Sequence, residues 1–188
     1  MTELFEGIVK DRTNADIGWM INKSPFYNEG YKIAARELTV GYGDRLTNEK
    51  DTLVFPIIFL YRQYLELALK DIIRELDRKL GNKRNDKILS QHKLLPLWDA
   101  AVEQYEALIK QDNITLVFTP KLTKERKIVN QFNQIDEDSF SFRYATDKKG
   151  NETLEGIEYI SVDNFKNQIE LVVTYVDGMI ETLCHTST

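Results

Sequence analysis

Residues 53–70, LVFPIIFLYRQYLELALK, decide the fold of this chain. The first half of the stretch is apolar on nearly every side, which is typical of a helix surrounded by other helices. The second half is amphipathic, and the pattern continues to a stop at Gly81. The sequence therefore predicts a central helix over about residues 52–80, with Leu60 and Leu67 buried in the core.

Further helices are predicted on both sides of the central one, because apolar residues recur there at three- and four-residue spacing. They cover about residues 26–42, 93–110 and 122–132, and a last helix begins near the N-cap residue Ser161. The last helix carries a long apolar stripe made of Val162, Phe165, Ile169, Val172, Val176, Met179 and Leu183. We therefore expect an all-α protein, a bundle of four to five helices.

One stretch has β-sheet character. Phe140, Phe142 and Tyr144 alternate with polar or small residues, and the turn-rich residues 147–151 follow. This pattern predicts a small β-hairpin over about residues 139–160, inserted before the C-terminal helix. Strand alternation would direct Arg143 away from the aromatic face, into a groove or into water.

The composition is that of one globular domain. The chain has 188 residues, a net charge of −5 and a single cysteine, Cys184. One cysteine excludes a disulfide framework within these residues, and the acidic balance argues against a large phosphate-binding face. No run of 18 apolar residues and no basic leader pattern occurs. We expect one helical domain over residues 1–188, with residues 1–25 as an N-terminal extension, in the cytoplasm and without a membrane partner.

Strong catalytic and cofactor motifs are absent from the sequence. It contains no Gly-rich phosphate loop, no paired CxxC, no nucleophile elbow and no HExxH. With only His92 and His185, a histidine-rich metal site is excluded. The acidic residues 136–138 could help to bind a cation, but such loop carboxylates are more often solvated. We therefore expect neither a cofactor nor a metal ion.

The candidate functional residues come from three separate elements. Arg62, Glu66 and Lys70 share one edge of the central helix, either as an ion-pair ladder or as the wall of a polar cleft. His92 opens the third helix, where it could act as an acid or base or could only satisfy a loop carbonyl. The expected ligand-binding residues are Arg62, Glu66, His92, Arg143 and Tyr144. His92 is the catalytic candidate.

Two segments resemble the HEPN superfamily of bacterial helical-bundle domains. They are YRQYLE at residues 61–66, on the long apolar helix, and QHKL at residues 91–94, where a helix begins. A third segment, SFSFRY at residues 139–144, resembles a stretch of uncharacterised bacterial and phage proteins of this general shape. The likeness covers roughly residues 50–184. It implies a dimerising all-α bundle of the kind found in toxin–antitoxin, defence and stress systems, where many members cleave RNA without a metal ion.

The chain departs from the catalytic pattern of that superfamily. Active members carry an Arg and a His four to six residues apart, usually on the last long helix. No Arg-x(4–6)-His occurs in this sequence, and the terminal helix contains no Arg. The catalytic pair that the resemblance would imply therefore has no counterpart here.

Three functional hypotheses stay open. The preferred one is a non-enzymatic HEPN-like module that binds a partner protein or a nucleotide-like ligand. We expect it to form a homodimer, partly through the last helix or through the central one, because Val173 and Ile180 widen the apolar stripe of the last helix beyond what one neighbour covers. The second is a divergent, metal-independent ribonuclease in which Arg62, His92 and Arg143 converge on a phosphodiester. The third is a structural protein of a phage or mobile element.

Overall fold

A computed structural model describes residues 7, 9–20, 22–112 and 123–185, and no strand forms among them. The helices are α1 (Ser24–Thr39), α2 (Thr47–Lys79), α3 (Asp86–Leu89), α4 (Leu94–Gln111), α5 (Thr123–Ile135) and α6 (Val162–His185). The all-α class is confirmed, and the predicted helices correspond to α1, α2, α4, α5 and α6. Residues 1–6, 8 and 21 of the expected N-terminal extension lie outside the described residues.

α2 lies at the centre of the bundle, in contact with α1, α4 and α6. Leu65 and Leu69 are fully buried on this helix. Leu60 and Leu67, which we expected in the core, are only half-buried. They lie seven residues apart and share one edge of the helix with the exposed Arg74, so this edge borders solvent. The prediction that both leucines are fully buried was wrong.

By length and composition alone, α2 could cross a membrane. However, half of its most apolar 18-residue window is buried within the bundle. The same helix carries the charged side chains of Arg62, Glu66 and Lys70. Because the core helix of a helical bundle passes the same test, this property is weak evidence about location.

The apolar stripe of α6 is used inside the chain. Ile169, Val172, Val173 and Val176 are fully buried, and Ile180 is half-buried. They pack where α6 meets α1, α2 and α5. The surface that we expected to receive a second copy is therefore largely covered within one chain, and a dimer would need another face.

The predicted hairpin over residues 139–160 does not form. One isolated antiparallel bridge joins Thr146 to Glu152. Between them the Asp147 carboxylate accepts the backbone N–H groups of Lys149 and Asn151, at 2.7 and 2.9 Å. The turn was recognised correctly, but the residues on either side of it do not pair further.

In place of the first predicted strand, residues 140–144 form a helical turn. The buried carboxylate of Asp136 accepts the backbone N–H groups of Phe140 and Ser141 through Oδ1. The N–H groups of Arg143 and Tyr144 both donate to the carbonyl of Phe140, at 3.0 and 3.2 Å. Since a helical turn brings residues four apart together, the rings of Phe140 and Tyr144 stack with centroids 4.5 Å apart.

Candidate functional site

The carboxylate of Glu66 is the centre of a buried polar cluster. Its Oε2 accepts a hydrogen bond from Nη1 of Arg62 at 3.0 Å, and its Oε1 accepts one from Nζ of Lys70 at 2.8 Å. Nδ1 of His92 lies 2.9 Å from the same Oε1. The four-residue spacing along α2 places both cations beside the carboxylate, while His92 arrives from the segment before α4.

The surroundings of Glu66 keep it ionised. Burial by itself would raise the pKa of this carboxyl, but the hydrogen bonds and charges of Lys70, His92 and Arg62 outweigh burial and lower it. An ionised carboxylate only accepts hydrogen bonds, so Nδ1 of His92 must donate. In the neutral imidazole, Nε2 is then an acceptor. The His92 side chain is 63% exposed, so this acceptor can meet a ligand from solution.

Arg62 joins three parts of the fold. Its side chain has no exposed surface. Besides Glu66, its Nη2 donates to the backbone carbonyl of His92 and, at 3.4 Å, to that of Glu137. Burial lowers the pKa of Arg62, and the charges of Glu66 and Asp136 act against this shift. Both terminal nitrogens of Arg62, Nη1 and Nη2, form hydrogen bonds within the protein. Arg62 therefore acts as a strut, a side chain that holds α2, His92 and Glu137 together, rather than as the ligand contact that we expected.

Arg143 has the opposite character. It is exposed, and its Nε donates to the carbonyl of Ser139 at 2.6 Å. Its guanidinium lies over the rings of Phe59 and Tyr144, 5.5 and 5.4 Å from their centroids. The terminal nitrogens donate to no other described residue. The guanidinium is thus held in place with two hydrogen-bonding nitrogens still available.

The loop that leads to Arg143 contains a residue in a strained backbone conformation, and this loop and the nearby Arg62 contain buried polar atoms without hydrogen-bond partners. Ser139 is buried with φ at 57°, a conformation that non-glycine residues rarely adopt. Ser139 Oγ, Asp136 Oδ2 and Arg62 Nε are buried without a hydrogen-bond partner among the described residues. Buried polar atoms are ordinarily satisfied, so these three atoms are positions where an ordered water or a bound group would find hydrogen-bond partners.

The structure brings the predicted site residues into one neighbourhood. Arg62, Glu66 and His92 form one bonded network, and the charge of Arg143 reaches Arg62, whose pKa it helps to lower. Tyr144 packs on Arg143.

Sequence reasoning missed Asp136, Ser139 and Phe59. Asp136 was considered only as one of three loop carboxylates. An Asp side chain commonly accepts backbone N–H groups about two residues further along a turn. Asp136 accepts those of Phe140 and Ser141, four and five residues on, so no local pattern indicated its role.

No three His, Cys, Asp or Glu side chains of the described residues come together as a potential metal site. Comparison with protein-family models, with curated proteins and with solved structures finds no match to this chain. Its function is therefore inferred from the chemistry of these side chains.

Proposed function

We propose that this protein is a helical binding module that captures an anionic, nucleotide-like ligand at Arg143. The observation that carries the proposal is the exposed guanidinium, fixed by Ser139 and two aromatic rings, whose terminal nitrogens donate to no residue that the structure describes. A planar guanidinium in this state forms paired hydrogen bonds with a phosphate or carboxylate at little cost in side-chain entropy.

Aromatic surface beside the guanidinium favours a ligand that also contains a planar ring. Tyr144 is 51% exposed and stacks against Phe140 on the same turn. Exposed aromatic rings next to a cation bind nucleobases by stacking, without regard to sequence. A phosphate on Arg143 and a base on Tyr144 would together occupy this surface.

The buried cluster supports this ligand site. Arg62 ties α2 to the carbonyls of His92 and Glu137, and so holds the start of α4 beside the loop that carries Arg143. Glu66 fixes the His92 ring with Nε2 accessible, ready to accept a hydrogen bond from a ligand hydroxyl or amino group. The resemblance to HEPN domains supports the same proposal and adds a setting, a bacterial defence, toxin–antitoxin or stress system.

Calorimetry with adenosine 5′-monophosphate, adenosine and inorganic phosphate tests the proposal. We expect the monophosphate to bind at least tenfold more tightly than adenosine. Arg143→Ala should weaken its binding at least tenfold, and Arg143→Lys should not restore it, because an ammonium lacks the paired geometry. Arg126→Ala is the matched control, since Arg126 is exposed but paired with Asp99. Equal binding by wild type and Arg143→Ala would refute the proposal.

A second candidate function is metal-independent cleavage of RNA. The contact between Glu66 and Nδ1 of His92 favours it, because it leaves Nε2 free to take a proton from a ribose hydroxyl. Arg143 would then stabilise the charge that develops on the phosphate.

A further inference from the structure

The two faces of α1 differ in their surroundings. Towards α2 and α6 the helix buries Asn28, Lys32, Ala35 and Thr39. Charged contacts fix this inner face. Nζ of Lys32 lies 3.0 Å from both carboxylate oxygens of Asp177, and Arg36 forms a paired contact with Glu170 at 2.6 and 3.0 Å. The position of α1 on the bundle is therefore set by its inner face alone.

The outer face of α1 carries exposed apolar side chains at helical spacing. Phe26, Tyr27 and Ile33 are 43%, 61% and 51% exposed on the helix, and Val40, the extended residue that follows it, is 63% exposed. Trp19, also exposed, packs edge-on against Phe26 with ring centroids 5.2 Å apart and extends the patch. Single exposed apolar residues are common, but several on one helix face indicate an interaction surface.

Gly30 lies in the middle of this outer face. A glycine inside a helix has a stability cost relative to alanine. Nothing in the described chain explains that cost, because a Cβ atom added at Gly30 would meet no atom within 4 Å. A close approach by another backbone would explain it, since a glycine lets a second helix come nearer than any other residue does.

The charges on the outer face are symmetric about Gly30. Lys23 and Glu37 each lie seven residues from it, and Tyr27 and Ile33 each lie three residues from it. Lys23 and Glu37 are both exposed, and neither forms an ion pair with another described residue. Two antiparallel copies of α1 crossing at Gly30 would place each Lys23 beside the other copy's Glu37, and each Tyr27 beside the other copy's Ile33.

We propose that the outer face of α1 is the interface with a second copy of this chain, with the two-fold axis at Gly30. The face is self-complementary, as a symmetric dimer requires, in its charges, in its apolar pairs and in the glycine at the crossing point. This assigns the second copy to a face of α1 that is exposed in the part of the chain that the structure describes, in place of α6. It does not depend on the ligand site at Arg143.

The test is a charge exchange in the full chain, followed by sedimentation and light scattering. We expect a dimer for the wild type. Lys23→Glu and Glu37→Lys should each weaken dimerisation more than about tenfold, because each creates two like-charge contacts across the axis. The double variant should return to within about threefold of wild type, because both contacts regain opposite charges.

Ile33→Glu provides a second disruption that does not involve these charges. It should give a monomer with an unchanged circular dichroism spectrum, since Ile33 is exposed within one chain. The proposal is overturned by a wild-type monomer at about 100 µM, by a dimer that Ile33→Glu leaves intact, or by a double variant as weak as the single ones.

Discussion

Nδ1 of His92 lies 2.9 Å from Oε1 of Glu66, although 26 residues separate the two in the chain. The contact joins the exposed start of α4 to the buried middle of α2. Glu66 also forms ion pairs with Arg62 and Lys70, which keep its carboxylate ionised. An ionised carboxylate requires a donor, so it decides that Nδ1 of the imidazole holds the proton. The stability of the bundle and the chemistry of its exposed site therefore depend on the same carboxylate.

Replacing Glu66 with glutamine should destabilise the fold at pH 7 by about 3–5 kcal/mol. The substitution keeps the shape of the side chain but removes the carboxylate that forms ion pairs with both buried cations, Arg62 and Lys70. Denaturant unfolding measures the difference. Asp99→Asn is the control, because Asp99 pairs with Arg126 where both side chains are exposed and should contribute far less. Equal midpoints for the two variants would contradict the central role of Glu66.

The effect of Glu66→Gln should depend on pH. The folded-state pKa of Glu66 is lowered from its ordinary value of 4.5. Its contribution is therefore fully present above about pH 5 and is lost as the pH falls through the folded-state pKa. As the pH falls over this range, the free energy of unfolding should decrease faster for wild type than for Glu66→Gln. The difference between the two values should therefore become smaller. A difference that stays constant from pH 7 to pH 3 would show that folding does not lower the pKa of this carboxyl.

Arg62→Met should destabilise the protein by roughly 3–5 kcal/mol, even though methionine fills much of the same space. The loss arises because the carbonyls of His92 and Glu137 and one oxygen of Glu66 lose their donor. Arg126→Met removes an exposed arginine paired with Asp99 and should change the unfolding midpoint little. If the two substitutions had the same effect, Arg62 would not be the strut that its contacts indicate.

Leu65→Ala should cost about 2–5 kcal/mol, and Leu67→Ala clearly less. Leu65 is fully buried within the bundle, whereas Leu67 lies on the solvent edge of the same helix. Thermal and denaturant unfolding of the two variants compare them directly. A larger loss for Leu67→Ala would mean that α2 is rotated from the orientation described here.

The helices could be predicted because their signal is local and periodic. The apolar run at residues 53–61 and the stripe of α6 identify helices whatever surrounds them. Their partners could not be predicted in the same way, since an apolar stripe shows that a face is covered but not by what. For that reason Val173 was assigned to a dimer surface, whereas in the structure it is fully buried inside the chain.

The hairpin failed for a different reason. Alternating aromatic residues favour a strand, but at Phe140 the backbone N–H groups are taken by a side chain, that of Asp136. The hydrogen bonds to this one carboxylate outweighed the propensity of residues 140–144 to form a strand. The contacts among Arg62, Glu66 and His92 were easier to predict, because charged side chains on an apolar helix must form ion pairs or hydrogen bonds. Arg62, Glu66 and His92 do so through one another.

The last prediction separates binding from cleavage at His92. We expect the purified protein, incubated with mixed cellular RNA in EDTA, to leave the RNA intact. Two observations support this outcome. Both terminal nitrogens of Arg62 form hydrogen bonds within the protein, so Arg143 alone of the two arginines could stabilise charge on a phosphate. The sequence also lacks the Arg-x(4–6)-His pair.

If cleavage does occur, the variants His92→Ala and His185→Ala identify its origin. His185 is the other histidine and lies exposed at the end of α6, so its substitution controls for contaminating nuclease and for a general loss of imidazole. Cleavage lost only in His92→Ala, with RNA binding retained, would establish the ribonuclease and overturn the binding module. Cleavage unchanged in both variants would come from a contaminant and leave Arg143 as the centre of a binding site. In that case His92→Ala should weaken nucleotide binding less than Arg143→Ala does, because Nε2 contributes one neutral hydrogen bond and the guanidinium two charged ones.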